Sequence, residues 1–160
     1  CIRHLQRGEP ILVRNPHATR PWQHVLEPLA GYLELASRLL RGPIQSDGGP
    51  GEAAYAAFNF GPGTESERDV QGLVEEVLKS WPGTWESQSH SSAPHEARRL
   101  SLDIRKSGRI LDWYPRWDFA RTVRETVDWY RSASSCQSPE DFRNLTARQI
   151  ADYNSAAAHA

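Results

Sequence analysis

The chain has 160 residues, enough for one domain with a buried core but a stretch for two. Its 19 basic and 20 acidic residues are intermixed and leave a net charge of -1, which excludes the broad cationic footprint of a nucleic-acid or anionic-membrane binder. No apolar run reaches the length of a membrane span, the opening residues do not form a signal peptide, and two distant cysteines, Cys1 and Cys136, outline neither a disulfide framework nor a metal site; cytoplasmic is the default reading.

Cys1 to Gln6 read as the last turns of a helix that Gly8 ends in a left-handed cap. Pro10 opens a short strand, Ile11 to Val13, where a first-position proline removes no ladder bond. Next comes Arg14 to Leu29, which packs two arginines, two histidines, a tryptophan and three prolines into one proline-stiffened loop and helix start. Guanidinium forks on a stiff loop suit phosphate oxygens, since little loop entropy is left to lose on binding. From Val25 the residues Leu29, Tyr32, Leu33, Ala36, Leu39 and Leu40 recur at helical spacing, predicting a helix that begins near Glu27 and buries this face, with Pro28 in its first turn and Gly42-Pro43 ending it.

Residues 45–51 read as a surface loop. Phe58 to Phe60 is predicted as a strand, Gly61-Pro62-Gly63 as a turn, and Ser66 or Glu67 as the opening of a helix that buries Val70, Leu73, Val74, Val77 and Leu78. That outline resembles a phosphate-binding crossover, yet its glycines match neither the dinucleotide pattern nor a P-loop, so Gly61 and Gly63 read as turn residues. Thr84 to Gln88 and Leu100 to Leu102 read as short strands. Asp103 caps a helix through Leu111, and Trp113 to Trp117 is a turn. Asp118 caps a helix from Phe119 to Arg131 that buries Phe119, Val123, Val127 and Tyr130. Residues 132–145 read as a linker and 146–160 as a terminal helix and tail. Trp81, Trp85, Trp113, Trp117 and Trp129 read as buried packing residues rather than a sugar-stacking platform.

Read as RNPHATRPWQHVLEPLAGYLELA, the arginine-rich stretch resembles the C-terminal half of the CDP-glucose 4,6-dehydratases, which are extended short-chain dehydrogenase/reductase enzymes acting on a nucleotide sugar. The block PHEARRLSLDIRKSGRILDWYPRWDFARTVRETVDWYR is similar to that family's closing segment and LTARQIADY to its tail, so the resemblance runs from Ile2 to about Tyr153. It implies an α/β fold: the substrate-binding part of such an enzyme, helices with several short strands, with residues 1–131 binding the nucleotide sugar, 54–80 completing the NAD domain, and the Rossmann core largely elsewhere. With no methionine in the chain, the expectation is a C-terminal fragment, inactive alone, N-terminal trimming being the alternative.

By this resemblance Arg20 matches the arginine that contacts the sugar nucleotide's diphosphate in related enzymes; the alternatives for Arg20 are stacking on Trp22 or pairing with Glu27. Arg14 either frames the nucleotide or only the loop, and His24 either meets the ligand or packs beneath it. Several relatives carry a second diphosphate-binding arginine whose place here falls at about Ala93, which leaves His95 or Arg98 to take the anion, or fewer charges to hold it. A metal at His95 and Glu96 lacks further ligands at usable spacing. The family's catalytic tyrosine with a lysine four residues on has no counterpart here, nor does the Rossmann glycine fingerprint, so the resemblance places catalysis and NAD outside this stretch. It implies CDP-glucose or a similar nucleotide sugar as ligand and a homo-oligomeric parent. The open alternatives are a dTDP- or GDP-sugar enzyme, or a stand-alone binding module.

Overall fold

The computed structural model describes residues 1–42, 44, 57–88 and 98–156. Its elements follow in the order α1 (Ile2–Arg7), β1 (Ile11–Val13), β2 (Thr19–Pro21), α2 (Leu26–Arg41), β3 (Glu67–Asp69), α3 (Val70–Ser80), β4 (Trp85–Ser87), α4 (Arg105–Leu111), α5 (Phe119–Ala133) and α6 (Pro139–Ser155). The strands make two ribbons. β1 runs parallel to β4 in the register Ile11↔Trp85, whereas β2 pairs antiparallel with β3 in the register Arg20↔Arg68. A parallel pair needs a long crossover, and here everything from β2 to α3 supplies it.

Two apolar cores hold the ribbons. In the larger, Leu5, Ile11 and Val13 meet Val74 and Val77 of α3 and Phe119, Val123 and Val127 of α5. In the smaller, Phe60, Leu111 and Trp113 pack together. Trp113 and Trp117 are buried, in line with their reading as packing residues. Gly8 has φ 68 as its cap role requires, and Asp118 caps α5 by accepting the Arg121 N–H at 2.7 Å.

Several element boundaries differ from expectation, each for a local reason. Residues 58–60 form no strand; a 3-10 turn at Thr64–Ser66 leads instead into β3. Asp69, rather than Ser66 or Glu67, caps α3 by accepting the Gly72 N–H at 2.8 Å. Near Leu100 only an isolated parallel bridge forms, Thr19↔Arg99. Tyr130 is exposed, one edge against Trp129. The last helix begins at Pro139 because Ser138 and Asp141 close a reciprocal capping box around a first-turn proline, which leaves only residues 134–138 as connection.

The largest correction concerns α2. Its expected buried face, including Leu29, Tyr32, Leu33 and Leu40, is turned to solvent, and Leu40 is 89% exposed. The inward side is Glu27 and Gly31. Gly31 meets the Phe60 ring so closely that a Cβ there would overlap it, so the absent side chain sets which side of α2 faces the second core. Arg38 ties the far end down by donating to the Leu111 carbonyl at 3.2 Å.

Candidate functional site

β2 lies between two partners. On one side it pairs with β3; on the other, Thr19 N–H donates to Arg98 O at 2.8 Å and Leu100 N–H donates to Thr19 O at 3.1 Å. Side chains along extended backbone alternate between faces, and directly paired residues share one. Arg20 and Arg68 therefore share a face, and alternation about the Thr19↔Arg99 bridge adds Arg98 to it. Glu67 and Arg99 take the opposite face, where they neutralise each other in a 2.7 Å ion pair. The ribbon thus sorts its charged side chains: the Glu67–Arg99 ion pair on one side, three guanidiniums on the other.

The segment leaving this face is pinned residue by residue. Trp22 N–H donates to Ser66 O at 3.2 Å and its indole N–H to Arg68 O at 2.9 Å, while the Gln23 amide donates to Phe60 O at 3.0 Å. His24 is buried against Trp117, ring centres 4.7 Å apart, and its Nδ1 accepts the Leu26 N–H at 3.2 Å, doing the work of a helix cap. Burial pulls this imidazole down to about 4, so it is neutral near pH 7.

Glu27 carries the buried carboxylate of the region. It accepts the backbone N–H of Arg116 at 3.0 Å, that of Trp117 at 2.8 Å and the Tyr153 hydroxyl at 2.7 Å. Burial, followed by the adjacent Glu27 carboxylate, pushes the Tyr153 phenol well above its ordinary range. Arg116 closes the arrangement from outside, donating to the Tyr153 carbonyl at 3.3 Å. The end of α6, the turn before α5 and the start of α2 are thereby locked together.

Of the residues singled out by sequence, Arg20 and Arg98 come together. Arg20 lies in a strand rather than a loop and donates to Thr19 O at 2.8 Å. Glu27 is not its partner, being taken up by Arg116, Trp117 and Tyr153. His24 leaves the candidate ligand set, because it is buried and committed to packing and capping. Arg14 follows β1 in the other ribbon, and no hydrogen bond or ion pair joins it to the arginine face among the described residues. His95 lies outside the described residues. Arg68 was missed: Glu-Arg-Asp before an apolar run reads as a helix start, and a strand of three charged residues carries no alternating pattern to betray it.

No protein-family model matches the chain. It is 35% identical over 97% of its length to CDP-glucose 4,6-dehydratase of Salmonella typhimurium, and spans 40% of that relative. It is 32% identical over 60% of its length to dTDP-glucose 4,6-dehydratase of Streptomyces antibioticus, spanning 27% of that protein. Among solved structures it superposes with TM-score 0.63 on dTDP-glucose 4,6-dehydratase of Bacillus anthracis in complex with NAD, at 18% identity, covering 90% of this chain and 40% of the other. It superposes with TM-score 0.64 on UDP-glucuronic acid 4-epimerase of Bacillus cereus in complex with UDP-glucuronic acid and NAD, at 13% identity, covering 82% and 38%. By sequence along nearly its whole length the chain is similar to part of a CDP-glucose 4,6-dehydratase, and by fold to part of solved nucleotide-sugar dehydratases and epimerases; it spans about 40% of the length of these relatives.

Proposed function

We propose that this chain is the sugar-nucleotide-binding portion of a CDP-glucose 4,6-dehydratase, which converts CDP-glucose to CDP-4-dehydro-6-deoxyglucose and water. The observation that carries the reading is the position of Arg20: the residue matching the relatives' diphosphate arginine lies on a ribbon face shared with Arg98, set between two hydrogen-bonded partners. A guanidinium on rigid backbone gives two parallel charge-assisted hydrogen bonds to a diphosphate without the entropic cost of ordering a loop. Holding the diphosphate there fixes where the attached hexose projects, which is this chain's share of the chemistry.

NAD belongs to the reaction class, but the described residues do not fit it. A Cβ on Gly61 would meet Leu102 and one on Gly63 would meet Glu65, so the Gly61-Pro62-Gly63 turn is filled by the chain's own side chains and offers no cradle to a pyrophosphate. We assign dinucleotide binding, and the hydride transfer it supplies, to sequence the relatives carry beyond the matched part.

The test is CDP-glucose binding by a full-length protein that contains this chain, with and without Arg20→Ala. The expected loss is about 1.5–3 kcal/mol, the worth of a hydrogen bond to a charged group. Unchanged affinity in a folded variant would make Arg20 structural and end this reading. Similarity to dTDP-glucose dehydratases favours a thymidine sugar as the second reading, and competition between CDP- and dTDP-glucose separates the two.

A further inference from the structure

Within α6 the buried residue is Tyr153, in the last turn. Its ring meets Trp117 edge-on, centres 5.1 Å apart, and lies 5.1 Å beneath the Arg116 guanidinium, while Trp117 in turn packs on His24. Its hydroxyl donates to Glu27 at 2.7 Å, and the same carboxylate holds the Arg116 and Trp117 N–H groups. An apolar side chain of the same shape would fill this place about as well. What the hydroxyl adds is direction: a hydrogen bond fixes angle as well as distance, and a buried network of such bonds specifies one arrangement where apolar packing tolerates several.

That arrangement fixes the start of α2, and the chain between Glu27 and Arg20 is held at nearly every residue. His24 accepts the Leu26 N–H, the Gln23 amide donates to Phe60 O, Trp22 N–H donates to Ser66 O, and Pro21 pairs with Glu67. A shift at the first turn of α2 finds little slack to absorb it and reaches the strand from which Arg20 projects. We propose that Tyr153 is a positioning residue for the nucleotide-sugar site: through its bond to Glu27, the C-terminal helix sets the placement of the Arg20 strand against a diphosphate. This rests on the reading of Arg20 as the diphosphate arginine.

The experiment measures binding of CDP and cytidine to the full-length protein containing this chain, for the parent, Tyr153→Phe, Glu27→Gln, Thr146→Val, Arg20→Ala and the double variant of Tyr153→Phe with Arg20→Ala. Phe keeps both ring contacts and loses the bond to Glu27. Glu27→Gln disturbs the same bond from the α2 side and carries the same expectation, so it decides the matter if Tyr153→Phe fails its thermal melt. Thr146→Val is the structural control: it removes the hydroxyl that accepts the Trp129 indole N–H at 3.2 Å, which loosens α6 on α5 away from Glu27. The expected result is that Tyr153→Phe weakens CDP about fivefold, as for one ordinary hydrogen bond, and changes cytidine less than about twofold. It should have no further effect once Arg20 is replaced, because residues acting along one path are not additive, and Thr146→Val should leave both ligands bound as in the parent. Unchanged CDP binding in Tyr153→Phe, a matching loss for cytidine or in Thr146→Val, or an undiminished loss in the Arg20→Ala background would each make Tyr153 a packing residue and overturn the proposal. If Arg20→Ala weakens CDP binding and Tyr153→Phe does not, the proposal fails and the reading of Arg20 stands. If Arg20→Ala has no effect, that reading fails and the proposal with it.

Discussion

His24 shows how a residue type associated with chemistry can be absorbed by architecture. In the folded chain its imidazole titrates near 4 because burial disfavours the charged form, whereas in the unfolded chain it titrates near 6.5. Between those values the unfolded state binds the extra proton, so acidification favours unfolding: the native state loses stability as pH falls from about 6.5 toward about 4. The effect amounts to at most about 3 kcal/mol, at about 1.4 kcal/mol for each tenfold change in proton affinity. His24→Asn keeps an acceptor for the Leu26 N–H without the titration, so urea unfolding across this range should show a shallower pH dependence in the variant than in the parent. Parallel curves would mean that the imidazole takes up its proton at the same pH in the folded and the unfolded state. Glu27, one turn on, illustrates the same economy, since its carboxylate serves three hydrogen-bond donors from two distant parts of the chain rather than an arginine beside it.

At the scale of elements, the helices were largely legible because their start signals are local. Asp118 and Gly8 act as their types suggest, and Ser138 with Asp141 could have been read as a capping box, which would have extended α6. What a single element cannot reveal is which side its neighbours approach. The leucine face of α2 is periodic and apolar, the ordinary mark of burial, yet the second core reaches the helix at Gly31 instead. An apolar stripe of this size exposed to water makes a surface prone to association. The 160-residue chain alone should bind an environment-sensitive dye such as ANS and self-associate as concentration rises. Replacing Leu33 and Leu40, 73% and 89% exposed, together by Glu should reduce both while changing stability by less than about 1 kcal/mol. A cooperative loss of structure in that variant would show that the stripe is covered within the chain after all.

For the whole molecule, the fold class and Arg20 as a candidate could be reached from sequence while Arg68, its partner in register, could not, and the reason lies in sequence separation. Arg20 advertised itself through a cluster of arginines, histidines and prolines within a few residues of one another. Arg68 is far along the chain, beyond the whole of α2, and only the antiparallel register of two three-residue strands brings it opposite Arg20. The sorting of charge by that ribbon has a kinetic consequence. A chain with net charge -1 should attract an anion little at long range, but the ribbon gathers Arg20, Arg68 and Arg98 on one face and sets the Glu67–Arg99 pair on the other, which concentrates a local field of positive charge. On the proposed reading such a field would guide a diphosphate during its final approach and fade as the screening length shrinks from about 30 Å at 0.01 M salt to about 8 Å at 0.15 M. In stopped-flow measurements on the full-length protein, the association rate of a nucleoside diphosphate should therefore fall steeply over that interval, with a smaller change in its dissociation rate. A flat association rate would mean that the ligand finds this face by diffusion alone.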